Sequence, residues 1–269
     1  MQNNGRCIFV PMQDVSSERP RFSIITVCFN SLGPLQRTTE SLASQVGANY
    51  EHVIIDGGST DGTQEWLAQQ NRANFRWISQ KDDGLYDAMN KGLERANGEY
   101  VWFVNAGDLV ESPHTIQRLG EAALNNPDIL YGEVLLFTPD GRIIGTRSDS
   151  TTRKLPDVLK WQDMKFGMVV SHQAFIPKRR IAPHYMDGNL CADIDWVINC
   201  LKRADSVVHT HQILARFETG GLSTTRHQAS IRDRYFVLQH HFGILPNFCN
   251  HIYIIWRALL AKYTRAALT

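Results

Sequence analysis

The fold is decided by two stretches of this sequence, Val101-Trp-Phe-Val-Asn-Ala-Gly-Asp108 and Ile54-Ile-Asp-Gly-Gly-Ser-Thr-Asp61. Each begins with an apolar run short enough for a buried strand and then breaks into Asp, Asn, Gly and Ser. Ligands of a parallel α/β sheet bind just past the carboxyl ends of its strands, so the two acidic loops predict one shared site. Their composition is typical of an enzyme site for a nucleotide and a divalent cation.

Strand-like and helix-like segments alternate around these two stretches. The expected order is a strand at 22–29, a helix after Asn30 and Ser31, a strand at 52–55, a helix at 63–70, a strand at 75–78, a helix at 85–96 and a strand at 100–104. This alternation predicts an α/β fold with a mostly parallel sheet flanked by helices. Beyond residue 108 we expect a helix at 114–124, a hairpin of strands at 129–137 and 142–147, a strand at 169–176, a helix at 193–203, a strand at 207–217 and helix from 226 onward.

Length and composition limit the class of protein. The 269 residues, 43% hydrophobic and 20% charged, suffice for one large α/β domain and argue against a disordered chain. A net charge of +1 argues against nucleic acid as a partner. Five cysteines without a C-x-x-C pair fit a reducing compartment. Because the sequence has neither a secretory-type amino terminus nor an apolar run of about 20 residues, we expect a cytoplasmic protein.

The loop after the second strand offers a nucleotide contact. Asp56 ends that strand, where its carboxylate can accept hydrogen bonds from a base or ribose, and the two glycines after it let backbone N–H groups approach a ligand. The alternative is a common Asp/Gly turn in which Ser59 or Thr60 caps the next helix. The sequence alone leaves both interpretations open.

A second polar group opens the helix at 85–96. Asp87, Asn90 and Lys91 lie at i, i+3 and i+4 and therefore share one helix face, and Gly84 leaves the helix start open. The amino terminus of a helix beside a nucleotide favours binding of the diphosphate. The alternative is a purely solvated face.

The segment Asn105-Ala-Gly-Asp108 follows the fourth strand and offers oxygen ligands to a metal. Hard cations such as Mg²⁺ need only one or two protein carboxylates besides waters and substrate phosphates. Asp108 beside Asn105 meets that need, although Asp108 would serve equally as an ordinary turn or cap residue.

Further candidates lie in the carboxyl-terminal half. Cys191-Ala-Asp-Ile-Asp-Trp196 opens a helix, where the two acids would be either helix caps or a general base beside a substrate-stacking Trp196. Thr219-Gly-Gly-Leu-Ser223 is typical of a loop that closes over ligands. His209 and His211 lie on one strand face, but the sequence suggests no third ligand, so a zinc site is not favoured.

Taken in order, these motifs resemble those of the inverting family 2 glycosyltransferases with the GT-A fold. The resemblance covers about Phe22 to Ser223 and rests on Ile55-Asp-Gly-Gly-Ser-Thr-Asp-Gly62, Asp83-Gly-Leu-Tyr-Asp-Ala-Met-Asn-Lys-Gly92 and Phe103-Val-Asn-Ala-Gly-Asp108. Ser171-His-Gln173 and Gly220-Gly-Leu-Ser-Thr224 make the chain most similar to transferases of colanic acid and other surface polysaccharides. The resemblance implies a Rossmann-like GT-A domain at 21–225, after a lead-in at 1–20 and before a C-terminal helical region at 226–269.

The resemblance also assigns roles to individual residues. It makes Asp193 the catalytic base, Asp108 the ligand of Mn²⁺ or Mg²⁺, Asp56 the nucleobase contact and Asp87 the contact to the sugar or diphosphate. Where the family usually has Asp, this chain has Asn105, and we name His172 as the residue that would complete the metal site. The other nucleotide-sugar contacts implied are Thr26, Phe29, Asn30, Ser59, Gly84, Asn90, Lys91, Asn105 and Ala106. The acceptor or closing-loop contacts implied are Asp195, Trp196, His172, Gln173, Gly220, Gly221 and Ser223.

The implied activity is inverting transfer of a sugar from a nucleotide-diphosphate sugar, UDP-linked, to a hydroxyl of a lipid-linked or oligosaccharide acceptor. One alternative, a sugar nucleotidyltransferase, would need a basic Gly-rich loop after the first strand, where this chain has Asn30-Ser-Leu-Gly33. Another, a catalytically weak nucleotide-sugar-binding module, is kept open by Asn105. A Rossmann dehydrogenase is disfavoured because no G-x-G-x-x-G follows a strand.

The C-terminal segment 236–268 has the pattern of an amphipathic helix with a basic face. Its apolar residues alternate with basic ones, and the two sets are Ile252, Ile254, Ile255, Leu259, Leu260 and Tyr263, and Arg257, Lys262 and Arg265. Tyr253 and Trp256 would lie at the level of the lipid headgroups. Such a helix either packs its apolar stripe on the catalytic domain or lies peripherally in the inner face of the membrane, where a lipid-linked acceptor would be found.

Overall fold

The computed structural model describes residues 19–47, 49–220 and 227–266. The strands in these ranges are β1 (Phe22–Cys28), β2 (Tyr50–Asp56), β3 (Phe75–Ser79), β4 (Tyr100–Phe103), β5 (Leu109–Val110), β6 (Ile129–Phe137), β7 (Ile143–Thr146), β8 (Phe175–Pro177) and β9 (Val207–Glu218). The α-helices are α1 (Leu32–Ala43), α2 (Thr63–Ala68), α3 (Leu85–Arg95), α4 (Thr115–Ala122), α5 (Arg147–Ser150), α6 (Ala192–Arg203), α7 (His227–Phe242) and α8 (Ile244–Ala266). Turns of 3₁₀ helix lie at Trp161–Phe166, His172–Ala174 and Arg179–Ile181.

The amino-terminal half forms one parallel sheet with the strand order β3-β2-β1-β4. β1 is buried along its whole length, as its mostly apolar sequence requires of a strand that is covered on both faces. It pairs with β2 from Phe22 opposite Tyr50 to Cys28 opposite Asp56, and it pairs with β4 on its other side. The predicted parallel sheet is confirmed, and the carboxyl ends of these strands meet at one edge.

Helix α3 packs directly on this sheet because Gly92 has no side chain. A Cβ at Gly92 would lie only 2.4 Å from Cγ2 of Ile25 in β1. Ala88, Met89 and Leu93 of the same helix are buried against the sheet. This close approach holds the first turn of α3, which contains Asp87, near the ends of the strands.

A second sheet has the strand order β5-β9-β6-β7, with β8 paired to β6. β6 and β7 are antiparallel, which confirms the hairpin predicted around residues 139–141, and β6 runs parallel to β9. β5 follows immediately after Asp108 and pairs with β9, where Leu109 lies opposite Arg216. The carboxyl end of β9 therefore reaches the segment that contains Asp108.

The strand predicted at 169–176 is wrong over most of its length. Only its last residues belong to β8, and His172–Ala174 forms a 3₁₀ turn. The Ser171 hydroxyl donates to Oε1 of Gln173 (2.8 Å), and the Ala174 N–H donates to the Ser171 carbonyl (3.0 Å). Val170 is buried in the core without belonging to a strand, so the apolar residues that suggested one have a different cause.

The C-terminal helices predicted from residue 226 are present. α7 contributes buried Val237 and Leu238 to the core that also contains α6. α8 differs, because its Ile252, Ile255 and Trp256 side chains are 54–59% exposed. These three side chains therefore do not pack on the catalytic domain, whereas Tyr253 of the same helix contacts Phe166 at a ring-centroid distance of 4.8 Å. Within the described part of the chain, no helix combines the length and apolar character needed to cross a membrane.

A candidate active site at the carboxyl ends of the strands

Asp56 organises the loop after β2. Its Oδ2 accepts hydrogen bonds from the Ser59 N–H (3.1 Å), the Gly58 N–H (3.3 Å) and the Ser79 hydroxyl (2.6 Å), while its Oδ1 accepts from the Ser59 hydroxyl. The carboxylate is fully buried and its oxygens are bonded to the loop and to Ser79 of β3, so Asp56 orders the loop. A direct contact of Asp56 with a nucleobase stays a prediction. The alternative that Ser59 or Thr60 caps α2 is wrong, because Asp61 accepts from the Thr63 N–H (3.2 Å) at that helix start.

Asn30 joins the loop after β1 to the loop after β2. Its backbone N–H donates to the Ser59 hydroxyl (2.7 Å), and its side-chain oxygen accepts from the Thr60 N–H (2.8 Å). Its φ of +46° is a left-handed conformation that Asn tolerates better than most residues. Asn30 and Ser31 make no side-chain cap to α1; instead Asp61 accepts from the Leu32 N–H (3.0 Å). Two of the predicted contact residues thus form one rigid wall.

An uncovered aromatic ring and a carboxyl group face each other beside this wall. Phe29 is 59% exposed at the end of β1. A Cβ placed at Gly57 would lie 2.4 Å from Oδ2 of Asp82 and 3.3 Å from the Phe29 ring, so only glycine fits between them. Partial burial raises the pKa of Asp82. Asp82 was not predicted as a site residue, although it lies in the acidic segment immediately before Gly84.

The start of α3 holds an ion pair next to an open entrance. Asp87 accepts from the Lys91 ammonium (2.9 Å) and from the Asp83 N–H (3.0 Å), and the Lys91 hydrogen bond holds the pKa of Asp87 below its usual value. Gly84 has a φ of +124° and no atom within 4 Å of a notional Cβ, so the helix entrance is open. Asn90 is engaged elsewhere, because its amide exchanges hydrogen bonds with the Tyr185 backbone (3.0 and 2.7 Å).

The segment after β4 presents the oxygen atoms predicted for a metal. Asp108 is almost fully buried, and burial raises its pKa to about 7. Gln173 donates to Oδ2 of Asp108 (3.2 Å), and the Thr38 hydroxyl donates to the Asp108 carbonyl (2.8 Å). The side-chain oxygen of Asn105 is buried and has no hydrogen-bond partner among the described residues. An orphaned amide oxygen and a carboxyl with a raised pKa fit a hard cation such as Mg²⁺ or Mn²⁺, which favours oxygen ligands.

A second carboxylate, which was not predicted from the sequence, lies near Asp108. Glu218 ends β9, and its Oε2 lies 3.9 Å from the position that a Cβ of Gly107 would occupy. Its charge contributes to the raised pKa of Asp108. Glu218 also accepts from Arg37 (2.9 Å), which holds it in place. Its only signal in the sequence was its position directly before the predicted closing loop.

His172 lies in a different environment from the one expected of a metal ligand. It is buried, its Nε2 hydrogen-bonds to the Tyr185 hydroxyl, and burial lowers its pKa to about 4. Its ring contacts Phe103 and Trp196, at centroid distances of 5.2 and 5.4 Å. Because the Nε2 of His172 is bonded to Tyr185, Glu218 is the better candidate for the residue that completes the metal site.

Asp193 lies in the first turn of α6 and is half-buried. Burial raises the pKa of its carboxyl to about 6, and the neighbouring Tyr86 hydroxyl and Arg147 guanidinium offset part of that rise. Tyr86 immediately precedes Asp87 in α3, so Asp193 stands beside the open start of that helix. A carboxylate with a pKa near neutrality is suited to general base catalysis.

The neighbours of Asp193 in α6 differ from what was expected. Asp195 is buried, with its oxygens bonded to His241 (2.7 Å) and Asn199 (2.9 Å), so it clamps α7 onto α6. Trp196 is fully buried, donates to the Pro183 carbonyl (2.8 Å) and stacks on Tyr185. The expectation that these two residues meet the acceptor is wrong, because neither side chain is accessible to it.

The remaining predicted residues fall into three groups. Thr26 is fully buried and bonded to His52 (2.9 Å) and the Val104 carbonyl (2.7 Å), so its side chain supports the sheet rather than facing a ligand. Ala106 is half-buried, and Gly220, with a φ of +107°, lies at the start of the predicted closing loop. Gly221 and Ser223 lie outside the described residues.

A continuous set of contacts joins Asp108, the candidate metal ligand, to Asp193, the candidate base. Asp108 contacts Gln173, the preceding residue His172 bonds to Tyr185, and Tyr185 stacks on Tyr86 at a centroid distance of 5.4 Å. Tyr86 in turn neighbours Asp193. The two groups with raised pKa values therefore border one buried aromatic cluster.

Comparison with known proteins agrees with this geometry. Residues 23–182, more than half of the chain, match the model of glycosyl transferase family 2. An uncharacterized glycosyltransferase of Mycobacterium tuberculosis is 30% identical over 217 residues, which cover 79% of this chain and 80% of the relative. A PGL/p-HBAD biosynthesis glycosyltransferase of Mycobacterium bovis is 30% identical over 220 residues, which cover 77% of this chain and 80% of the relative.

Solved structures share the fold at low identity. S. aureus TarS 1–349 in complex with UDP-GlcNAc gives a TM-score of 0.66 at 19% identity, covering 81% of this chain and 64%, just under two thirds, of TarS 1–349. The mannosyltransferase PcManGT from Pyrobaculum calidifontis, in complex with GDP-Man and Mn²⁺, gives a TM-score of 0.57 at 15% identity. The match covers 94% of this chain and 82% of PcManGT. The predicted GT-A-type α/β fold is confirmed, and this chain belongs to glycosyl transferase family 2.

Proposed function

We propose that this glycosyltransferase moves a sugar, with inversion, from a UDP-linked donor to a hydroxyl of a lipid-linked or oligosaccharide acceptor in surface-polysaccharide biosynthesis. The observation that carries the proposal is the pair of carboxyl groups, Asp108 and Asp193, that border one aromatic cluster and have pKa values raised by burial to about 7 and about 6. Perturbed carboxyl groups at the end of a parallel sheet are typical of catalytic sites.

In the proposed mechanism, the acceptor hydroxyl attacks the anomeric carbon of the donor in a single displacement. Asp193 takes the proton of that hydroxyl as the new C–O bond forms, and the bond from the anomeric carbon to the diphosphate oxygen breaks with its electron pair on the diphosphate. One displacement inverts the anomeric centre, and no covalent enzyme intermediate is needed. The half-buried position of Asp193 keeps its carboxylate basic enough for this role.

Three side chains would hold the divalent cation. They are Asp108, the orphaned amide oxygen of Asn105, and Glu218, which takes the place we first gave to His172. A bound Mn²⁺ or Mg²⁺ supplies charge that stabilises the leaving diphosphate. Gln173 and Thr38 orient the Asp108 segment through the hydrogen bonds described above.

The donor base would bind between Phe29 and the Asp56 loop. The exposed Phe29 ring offers a stacking surface, and the Asp82 carboxylate faces it across Gly57. A carboxylate accepts hydrogen bonds from an imide N–H, a group that uracil carries. The UDP-GlcNAc bound to TarS supports a uridine nucleotide, whereas PcManGT binds a guanosine one.

The two alternatives have less support in the structure. A sugar nucleotidyltransferase would need basic groups on the loop after β1, yet that loop is held by Asn30, Ser59 and Asp61. A binding module without activity would not need a carboxyl at the start of α6 whose pKa is raised to about 6.

A screen of nucleotides by thermal shift tests the donor proposal. We expect UDP-sugars with Mn²⁺ to raise the melting temperature most, because a ligand that binds only the folded state stabilises it by about 2.7 kcal/mol at 100 times its Kd. GDP-sugars serve as the matched comparison, and Asp82→Asn should weaken the binding of UDP-sugars. If a nucleoside triphosphate with a sugar 1-phosphate stabilises the chain and UDP-sugars do not, the nucleotidyltransferase alternative is favoured.

We further propose that α8 lies peripherally on the inner face of the membrane that holds the acceptor. Seven large apolar residues of this helix are more than 40% exposed: Ile244, Leu245, Phe248, Ile252, Tyr253, Ile255 and Trp256. Arg257 lies over the Tyr253 ring at 5.8 Å, which places a cation next to the aromatic pair Tyr253 and Trp256. A helix with exposed apolar and basic residues is suited to the headgroup region of anionic lipids.

Sedimentation with liposomes tests this proposal. We expect the full chain to bind anionic vesicles at low salt and to dissociate at high salt, because apolar burial and charge attraction act together. Ile255→Asp combined with Trp256→Asp should abolish binding, and so should truncation near Pro246. Leu124→Asp, a change at a 74% exposed residue outside α8, is the matched control and should bind normally. Equal binding by wild type and the double variant would contradict the proposal.

A further inference from the structure

Three metal-ligating side chains meet at the amino-terminal half of β9, away from the site described above. His209, His211 and Asp157 bring one ligand atom each to within 4.8 Å of one another. In the described part of the chain, no other group of three His, Cys, Asp or Glu side chains gathers this closely. We propose that these residues form a zinc site.

A β-bulge brings the two imidazoles together. Tyr131 of β6 lies opposite His209, but Glu133, two residues on, lies opposite Ile213, so β9 contains two extra residues there. On a regular strand, side chains at i and i+2 stand about 6.6 Å apart. Here the ring centroids of His209 and His211 are 4.1 Å apart. Bulges re-aim side chains in this way, frequently next to functional sites.

The bulge needs special residues on both strands. His211 has a φ of +53°, a left-handed conformation that costs a non-glycine residue free energy. Gly132 of β6 makes room for the bulge, because a Cβ there would lie 2.5 Å from the Gln212 carbonyl oxygen. Among the described residues, the His211 ring contacts the His209 ring, and coordination of one metal ion by both rings would offset the backbone cost.

His209 is placed as a metal ligand would be. Its side chain is only 11% exposed, and its Nδ1 is buried without a hydrogen-bond partner among the described residues. Its ring stacks on Tyr131 at 4.7 Å and 11° between planes, which fixes its orientation. A buried imidazole nitrogen without a partner loses free energy that coordination would restore.

The same tyrosine holds the backbone of Asp157, whose side chain is 87% exposed. The Tyr131 hydroxyl lies 2.9 Å from the Pro156 carbonyl and 2.8 Å from the Asp157 carbonyl, and it accepts from the Leu159 N–H (3.2 Å). Oδ1 of Asp157 lies 3.6 Å from Nδ1 of His209, too far for a good hydrogen bond. Two ligands of a tetrahedral zinc with bonds of about 2.1 Å lie about 3.4 Å apart, close to this separation.

The site is distinct from the proposed catalytic metal site. His211 precedes Glu218 by seven residues of β9, which corresponds to roughly 20 Å along a strand. The two imidazole nitrogens of the His209–His211 site favour zinc over Mg²⁺, whereas the oxygen atoms near Asp108 favour Mg²⁺ or Mn²⁺. A zinc ion here would fasten the segment after Asp157 to β9. That segment leads to Trp161 and Phe166, which stack on α7 and α8.

A competition titration of the full chain tests the site. The metal-stripped protein is titrated with Zn²⁺ against a chromophoric chelator, in excess Mg²⁺ to occupy the oxygen site. We expect one zinc ion per wild-type chain. His211→Asn and Asp157→Asn should each lower the zinc affinity by about 10- to 100-fold or more, because loss of even an outer-shell partner of a metal ligand has an effect of that size. His114→Asn, a change of an exposed histidine on α4's amino-terminal side, is the matched control and should bind zinc normally.

His211→Asn is chosen because it should fold. The residue is exposed, and Asn tolerates the left-handed conformation that His211 adopts. Without zinc its melting temperature should therefore equal or exceed that of wild type, and zinc should raise the melting temperature of wild type alone. The proposal is overturned if wild type binds no zinc under these conditions, or if His211→Asn binds it as tightly as His114→Asn.

Discussion

Asp193→Asn should reduce sugar transfer by about 10²- to 10⁴-fold, the usual contribution of a general base. The amide has nearly the shape of the carboxyl group but cannot take the proton of the acceptor hydroxyl. Donor binding should stay near normal, because Asp193 contacts the Tyr86 and Arg147 side of the site rather than the Asp56 loop. Initial rates and donor titrations of both proteins measure the two effects separately.

The pH dependence of kcat provides a second test of the same residue. The base acts when ionised and its pKa is about 6, so kcat should be level above that pH and fall about tenfold per unit below it. Asp195→Asn is the matched control: it should retain kcat but melt earlier, because its new amide would face the Asn199 amide and weaken the bond to buried His241. Near-normal turnover of Asp193→Asn, with Asp195→Asn inactive, would move the base by two residues.

Removing the metal or its ligand should have a comparably large effect. We expect excess chelator to abolish transfer, Mn²⁺ or Mg²⁺ to restore it, and Asp108→Ala to lower kcat/KM at least about 100-fold, because metal stabilisation of a leaving group is worth several kcal/mol. Metal titrations of activity and of donor binding check this result.

Two milder variants distinguish the candidate ligands. Glu218→Gln should weaken Mn²⁺ binding if Glu218 completes the site, and Asn105→Asp should strengthen it by adding a carboxylate to the orphaned position. Substitution of His172 is less informative, because its buried ring packs on Phe103 and Trp196 and its loss would disturb that packing. Full activity in excess chelator would remove the metal from the mechanism.

The fold could be predicted from local patterns because its first sheet is parallel. Strands covered on both faces must be almost continuously apolar, which made β1, β2 and β4 recognisable. The error at 169–176 arose because Val170 is apolar for a different reason, namely burial between elements. The sequence pattern records that a residue is buried but not which element carries it.

The candidate site was harder to predict where a residue's role depends on its neighbours. Asp193 and Asp195 are both acids in the first turn of α6, and only the position of His241, far along the chain, separates them. Trp196 is buried by Tyr185 and Phe103, which no local pattern places beside it. Asp82 and Glu218 adjoin the site through contacts with Gly57 and Gly107 that likewise depend on tertiary structure.

The same limit applies to His209 and His211. Their spacing placed them on one strand face, but a regular strand would keep their rings too far apart for one metal. The bulge that closes the gap and the Asp157 that joins them became visible only in three dimensions.

Release of nucleoside diphosphate from a nucleotide-sugar tests the central claim most directly. The chain is incubated with UDP-sugar, Mn²⁺ and a lipid-linked saccharide acceptor, and free UDP is measured alongside donor binding. We expect wild type to bind the donor and release UDP, Asp193→Asn to bind it with at least about 100-fold slower release, and Asp108→Ala to be weakened in both binding and release. A wild-type chain that binds the donor but releases no more UDP than Asp193→Asn would contradict the account.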